Sequence, residues 1–261
     1  MKNPGSEWYA ESELYDIGKI IDSGVGWNHK QFLRHKNCGV TLLDIGCGTG
    51  AFLSHASKLG YVPCGIDFDE IALRVAKERY QLQELHSINV SDLKVLFPSR
   101  KFNVVTFFEV LEHVEDPIEF MRQVKEVVAD SGLIALSLPN RDRYLDFMGE
   151  NDGPPNHLTR WTINALSEFI NQQGFDVIEI YPKPMDISEI IAFLHSRVRL
   201  GLARSLVKSG SRSGDSFAVQ KGRMLLKIKN AVFFLISILF LPLIFIFRPQ
   251  GSTIFCMARK K

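Results

Sequence analysis

The chain reads as an α/β protein built on a doubly wound, mostly parallel sheet of seven strands, with a helical insertion before the last one. Three observations predict this. Near-continuous apolar runs occur at 40–45, 62–66, 103–108 and 133–138. Helix-like segments alternate with them, and a glycine turn, Gly46 to Gly50, directly follows the first run. Strands that are apolar on both faces belong in a parallel sheet covered by helices on two sides.

The elements follow in order. Residues 7–36 read as polar to amphipathic helix, broken around Gly24 and Gly26. The first strand, 40–45, runs into the glycine turn and a helix over 51–59 that Gly60 stops. A second strand spans 62–66, and Asp69 is placed to cap a helix over 70–80. A short third strand is expected at 87–90 and a strongly apolar fourth at 103–108. Asp116-Pro117 opens a helix over 118–128, and a fifth strand spans 133–138. Residues 140–160 form a loop rich in Gly, Pro, Asn and Asp. Thr162 caps a helix ended by Gly174, and a sixth strand follows at 175–181. The alternation then breaks: 185–230 reads as basic helices around a Ser/Gly-rich link at 209–216. The last strand is expected at 253–258. The organisation is an N-terminal helical segment (1–37), a core (38–184), an insertion (185–250) and a final core strand (251–261).

With 261 residues, 46% hydrophobic and 23% charged, the chain can bury a sizeable core. Its net charge of +2 hides an asymmetry: residues 190–230 hold nine Lys/Arg against Asp215 alone. A basic block on an acidic body suits an anionic surface. Phe217 is the one aromatic residue between His195 and Asn230, so stacking on bases is unsupported and no nucleic-acid partner is expected. Residues 231–247 are 17 in number, uncharged and apolar all round, where a core helix would show a polar stripe. A span needs about 20 residues, and Pro242 would kink the run. A membrane surface is the expected partner of 190–248. Cys38, Cys47, Cys64 and Cys256 lack C-x-x-C or zinc spacing and read as free thiols of a reducing cytosol. Residues 1–16 are polar and acidic, unlike a signal peptide. A cytoplasmic protein with peripheral or monotopic membrane association is expected.

The chemistry concentrates in Leu42-Leu43-Asp44-Ile45-Gly46-Cys47-Gly48-Thr49-Gly50. The dinucleotide pattern would put a third glycine three residues after the second; here it comes after two. An Asp ahead of the glycines suits a ligand carrying an ammonium group better than a pyrophosphate. Asp67 ends the second strand, 23 residues after Asp44, where a carboxylate can accept from both ribose hydroxyls. Asn89-Val90-Ser91-Asp92 adds an acidic loop after the third strand.

These pieces resemble class I S-adenosylmethionine-dependent methyltransferases, and most closely the ubiquinone-biosynthesis O-methyltransferase group. The likeness is carried by LLDIGCGTGAFL, CGIDFDE, FNVVTFFEVLEHVEDP, GLIALSLPNR and PPNHLTRWTINALSEFINQQGF. It implies the Rossmann-like methyltransferase fold with S-adenosyl-L-methionine as methyl donor. It implies that Gly46, Gly48 and Gly50 shape the methionine pocket and that Asp44 orients the amino end. Asp67 would hold the ribose and Asp92 the adenine amine. Cys47 and Phe68 join the donor-binding set, and Glu109 lines the methyl-transfer face. For an oxygen acceptor, His157 is the first candidate proton acceptor and His113 the second. Some relatives use a divalent cation, for which Glu109, Glu112 and His113 are candidates; the reading adopted has no metal. In the family the last strand returns to the sheet, so the insertion should dip into a membrane and return, or lie in the interface with the basic helices before it. The acceptor is expected to be a lipid or lipid-linked molecule, the alternatives being a soluble small molecule or an inactive membrane-bound binding protein.

Overall fold

The computed structural model describes residues 25–35, 40–198 and 216–261. Two compact units are distinguished. The larger holds the sheet and comprises Met1–Asp142, Glu150–Lys183 and Thr253–Lys261. The smaller comprises Arg143–Gly149 and Pro184–Ser252.

In the larger unit the elements run α1 (Trp27–Phe32), β1 (Thr41–Ile45), α2 (Ala51–Lys58), β2 (Val62–Asp67), α3 (Glu70–Tyr80), β3 (Leu85–Ser87) and α4 (Leu93–Leu96). They continue with β4 (Phe102–Phe108), α5 (Pro117–Val127), β5 (Val128–Pro139), α6 (Ile163–Gln172), β6 (Phe175–Pro184) and β7 (Gln250–Lys260). The strand order is β3-β2-β1-β4-β5-β7-β6. Strands β1 to β5 pair in parallel, and β7 enters antiparallel to β5, Leu133 opposite Arg259 and Pro139 opposite Thr253. The doubly wound, seven-stranded sheet expected from the sequence is thus present.

Alternation along the strands sorts the core into two clusters. Leu43, Ile45, Val105, Phe107, Ile134, Leu136 and Cys256 pack with α5 and α6. Leu42, Val104, Phe108, Ala135 and Phe255 pack with α1, α2 and α3. Helix starts follow local chemistry. Asp69 accepts from the Ile71 and Ala72 amides, Asp116 from those of Ile118 and Glu119, and Thr162 from that of Ala165.

Some boundaries move. The third strand lies at Leu85–Ser87, and Val90–Asp92 is a 3-10 turn rather than its end. Pairing with Gly65–Asp67 fixes it there, since the Ile88 amide already bonds the Asp67 carbonyl. The fifth strand begins at Val128, because Phe102 pairs with Val128 before the register shifts to Val104 opposite Leu133. Ser131, with φ of 58°, turns the chain across that irregularity. Of the N-terminal segment the helix is Trp27–Phe32 and ends in a turn over 33–35, short of the expected 36; residues 1–24 and 36–39, like the link at 209–215, lie outside the described residues.

The smaller unit carries α7 (Ile187–Arg197), α8 (Ser216–Leu239) and α9 (Leu241–Phe247). Asp186 caps α7, and the buried Glu189 accepts from the Ser252 amide and hydroxyl. Helices α7 and α8 meet where His195 lies against Phe233, with Lys229 Nζ 2.9 Å from His195 Nδ1. Among the described residues, no single helix is long and apolar enough to cross a membrane. Met224–Leu239 and Leu241–Phe247 pass that test as a pair, bent by 41°. Pro242 lies in the first turn of α9, where its missing amide accounts for the break.

Gly65 in β2 leaves no room for a side chain: a Cβ there would lie 2.7 Å from Cys47 Sγ, Leu53 Cδ1 and Leu85 Cδ2. Gly65→Ala should therefore destabilise the fold by about 1–3 kcal/mol through overpacking. Urea unfolding checks this, the expected result being a lower midpoint at unchanged slope.

Candidate active site

The site is built at the carboxyl ends of β1, β2 and β4, where such sheets bind ligands. Asp44 lies inside β1 opposite Thr106 of β4, whose hydroxyl donates to Asp44 Oδ1 at 2.6 Å. Burial lifts the Asp44 carboxyl to about 7, Thr106 holding it down and Asp67 adding to the rise. A cationic group next to Asp44 would reverse that shift.

The glycine turn is held to β2 by the Gly46 and Cys47 amides, both of which donate to the Ile66 carbonyl. Its three glycines differ. Gly46 and Gly50 have φ of 76°, and a Cβ would strike Val110 and Ala76, respectively. Gly48, φ 50°, has nothing within 4 Å of where a Cβ would be, and its amide donates to Asp67 Oδ2 at 2.8 Å. Only Gly48 leaves open space above the backbone, so a ligand can approach closely there. Cys47 points the other way: its thiol is buried beside Gly65 and raised by desolvation, so only its backbone is offered to a ligand.

Asp67 is buried, with Oδ1 accepting from the Asp69 amide and Oδ2 from that of Gly48. Desolvation raises its carboxyl, against the pull of those bonds. The Phe68 amide also bonds the carboxylate, and the lone-pair capacity that remains suits ribose hydroxyls. Phe68 is 48% exposed, and Asn89 and Asp92 are exposed beyond β3. The expected donor-binding residues are therefore gathered along adjoining strand ends.

Glu109 follows β4 with φ of 55°, and Ser137 Oγ donates to its carboxyl at 2.7 Å. Asn28 of α1 donates to the same Ser137 oxygen at 2.8 Å. Glu109 is solvent-accessible, yet surrounding protein raises its carboxyl by desolvation. His29, one residue along, stacks on Phe52 and meets Phe108 edge-on; burial lowers its imidazole to about 4. Asn28, His29 and Ser137 were not among the candidates. A polar-aromatic WNHKQF stretch was visible, but nothing local linked it to a serine 109 residues on.

A second cluster joins the turn after β4 to the 140–160 loop. Glu112, His113 and His157 are buried or nearly so, and one ligand atom of each lies within 4.8 Å of the others. His113 Nδ1 faces the Asn156 carbonyl at 2.6 Å and His157 Nδ1 faces Asp152 Oδ1 at 3.0 Å. Protonated Nδ1 atoms leave Nε2 of each neutral ring as the lone-pair nitrogen. Asp152 also pairs with Arg160 at 3.1 Å. Both Glu112 carboxylate oxygens are buried without a hydrogen-bond partner, and burial with Glu109 nearby pushes that carboxyl well up. Another group, Cys64, Glu84 and His86, is explained structurally, since Arg100 grips the Glu84 carboxylate with both guanidinium nitrogens.

The family described as methyltransferase domain matches residues 25–180. A ubiquinone biosynthesis O-methyltransferase of Pseudomonas syringae pv. tomato is 36% identical over 141 residues, 52% of this chain and 58% of that one. Its mitochondrial namesake from Schizosaccharomyces pombe is 36% identical over 118 residues, 42% and 43% of the two chains. The chain spans about half the length of the curated relatives it matches. A solved S-adenosylmethionine-dependent methyltransferase of Mesorhizobium loti shares the fold with a TM-score of 0.56 at 13% identity, over 92% of this chain and 99% of that one.

Burial favours the neutral form of His113 and lowers it to about 4, against a partial rise from the Asn156 carbonyl. An unfolded chain takes up that proton near 6.5, so the contribution of His113 to stability is complete at neutral pH and is lost as pH falls toward 4. Ring-proton NMR should show His113 still neutral at pH 5. Titration near 6.5 would contradict the burial seen here.

Proposed function

This chain belongs to the methyltransferase-domain family, and on that premise we propose that it transfers a methyl group from S-adenosylmethionine to a hydroxyl oxygen of a lipid or lipid-linked acceptor. One observation carries the donor assignment: Gly48, open above its backbone, is tied to Asp67, whose two oxygens retain acceptor capacity. The bound donor supplies a methyl group on a positively charged sulfur that departs as a neutral thioether. The residues fit it. Asp44 answers the ammonium end, Asp67 the ribose hydroxyls, and Phe68 and Asp92 border the adenine. Glu109, anchored through Ser137 and Asn28, lines the reacting face.

In the transfer the acceptor oxygen forms its bond to the methyl carbon while the carbon–sulfur pair stays on sulfur. The chain's task is alignment of the three atoms and removal of the hydroxyl proton. Nε2 of His157 or of His113 takes that proton, since both Nδ1 atoms are already donors. The Asp152 carboxylate steadies the imidazolium so formed on His157.

A second reading is favoured by Glu112. A base needs no buried carboxylate with two orphaned oxygens, whereas a divalent cation does. Glu112, His113 and His157 would hold it, with Asp152 and the Asn156 carbonyl orienting the imidazoles, the usual outer-shell arrangement for ligating histidines. The cation would polarise the acceptor oxygen.

The lipid character of the acceptor is supported by the exposed apolar helices α8 and α9 in the same chain. Labelled donor incubated with the protein and a lipid extract should mark a lipid product. Asp67→Ala should lower calorimetric donor affinity tenfold or more, since hydrogen bonds to a charged group contribute about 1.5–3 kcal/mol each. Unchanged affinity in a folded variant would sink the donor assignment.

The histidine roles separate by metal binding. If the cluster is a base, His157→Ala lowers turnover about a hundredfold, leaves donor affinity intact, and calorimetry with Mn²⁺ or Zn²⁺ shows no binding. If it is a cation site, the protein takes up about one ion, and His157→Ala or Glu112→Gln abolishes that uptake in the absence of donor and acceptor.

A further inference from the structure

Helices α8 and α9 present an apolar surface that the smaller unit does not cover. Of residues 231–247, Phe233 and Ser237 are buried, Ile236 and Ile244 half-buried, and the remainder exposed. Leu235, Leu239, Phe245, Ile246 and Phe247 are 62–77% exposed. Surface of this extent marks an interaction site. Phe233 of α8 rests against His195 of α7, so α8 is docked on one side and exposed on the other.

Charge selects the occupant. Lys221 and Lys227 lie exposed on α8, Arg197 ends α7, and Arg248 follows α9. From Ile190 to Gln250 the sequence holds one acidic residue, Asp215. A helix with an exposed apolar side and basic flanks enters the headgroup region of an anionic membrane. A second copy of the chain would have to bring equally basic flanks together, which repels.

Connectivity sets the geometry. The chain leaves β6 for this unit and returns in β7, and both strands belong to one sheet. A single crossing would place the returning strand across the bilayer from its partner β5. The 41° bend also breaks the run into pieces shorter than a span. A broken backbone is disfavoured in the hydrocarbon core but tolerated at the interface.

We propose that an anionic lipid bilayer is the partner of this unit, with α8 and α9 lying in one leaflet and no segment crossing. The inference rests on, and deepens, the lipid-acceptor reading by naming the surface from which the acceptor is taken.

The test uses the full chain and vesicles of phosphatidylcholine with or without phosphatidylglycerol. Co-sedimentation should be at least tenfold stronger with the anionic lipid and weaken as salt is raised. Leu239→Glu, Phe245→Glu and Phe247→Glu together, all at exposed positions, should abolish it while leaving calorimetric donor affinity unchanged. Intact vesicle binding in that triple variant, or no binding by the parent chain, would overturn the proposal. So would a vesicle-independent dimer that the variant dissolves. Vesicle binding by the parent chain with donor affinity unchanged in Asp67→Ala marks a failure of the function alone, and donor affinity lost in Asp67→Ala with no vesicle binding by the parent chain marks a failure of the surface alone. In a Cys38→Ser background, where the other cysteines are buried, a Leu241→Cys chain added outside should resist a maleimide sealed inside the vesicles. Labelling from within would refute the one-sided geometry.

Discussion

Desolvated carboxylate at one edge of the sheet is the constraint from which the site follows. Parallel pairing of β1, β2 and β4 brings Asp44, Asp67 and Glu109 to the same end, and Glu112 follows one turn later. Desolvation by the surrounding protein raises all four carboxyls, the solvent-accessible Glu109 included, and their proximity adds to the rise: Asp67 acts on Asp44 and Glu109 on Glu112. Buried anions without counter-charge are unfavourable unless neutralised or bonded. The local structure is a set of answers to that. Thr106 serves Asp44, the Gly48 and Asp69 amides serve Asp67, and Ser137 serves Glu109. Glu112 has no such partner. A cationic ligand bound there would complete an arrangement that the polypeptide leaves electrostatically unfinished.

The positive-φ glycines belong to the same logic. Gly48 adopts a left-handed backbone because its amide must point at the Asp67 carboxylate, and the absence of a Cβ keeps the space above it open. Gly46 and Gly50 satisfy packing against Val110 and Ala76 instead. Three glycines that look equivalent in the primary structure therefore differ in their surroundings, one bordering open space and two packed against the fold.

This difference marks how far the sequence could be read. Strands buried on both faces are continuous apolar runs, so β1, β2, β4 and β5 were legible, as was the glycine turn and Asp67 after it. The caps at Asp69, Asp116 and Thr162 are local and were legible for the same reason. Third-strand placement was not, because its three residues are set by pairing with Gly65–Asp67 rather than by their own pattern. Nor was the Asn28–Ser137–Glu109 chain, whose members meet only once α1 packs over β5. His113 and His157 were recognised singly; that they converge with Glu112 depends on the 140–160 loop folding back, with the Leu158 and Thr159 amides bonded to the Glu112 carbonyl.

Strand β7 follows every other strand in the chain, yet it sits between β5 and β6 and not at a margin. Its partners on β5 lie more than a hundred residues earlier. Until it docks, β5 and β6 each present an open row of amides and carbonyls in the middle of the sheet, a template for pairing with other chains. Such non-local closure is slow and leaves the waiting intermediate exposed. A nascent or prematurely terminated polypeptide that stops short of Gln250 is therefore not a smaller version of the protein. It is a gapped sheet with two adhesive edges until the closing strand arrives.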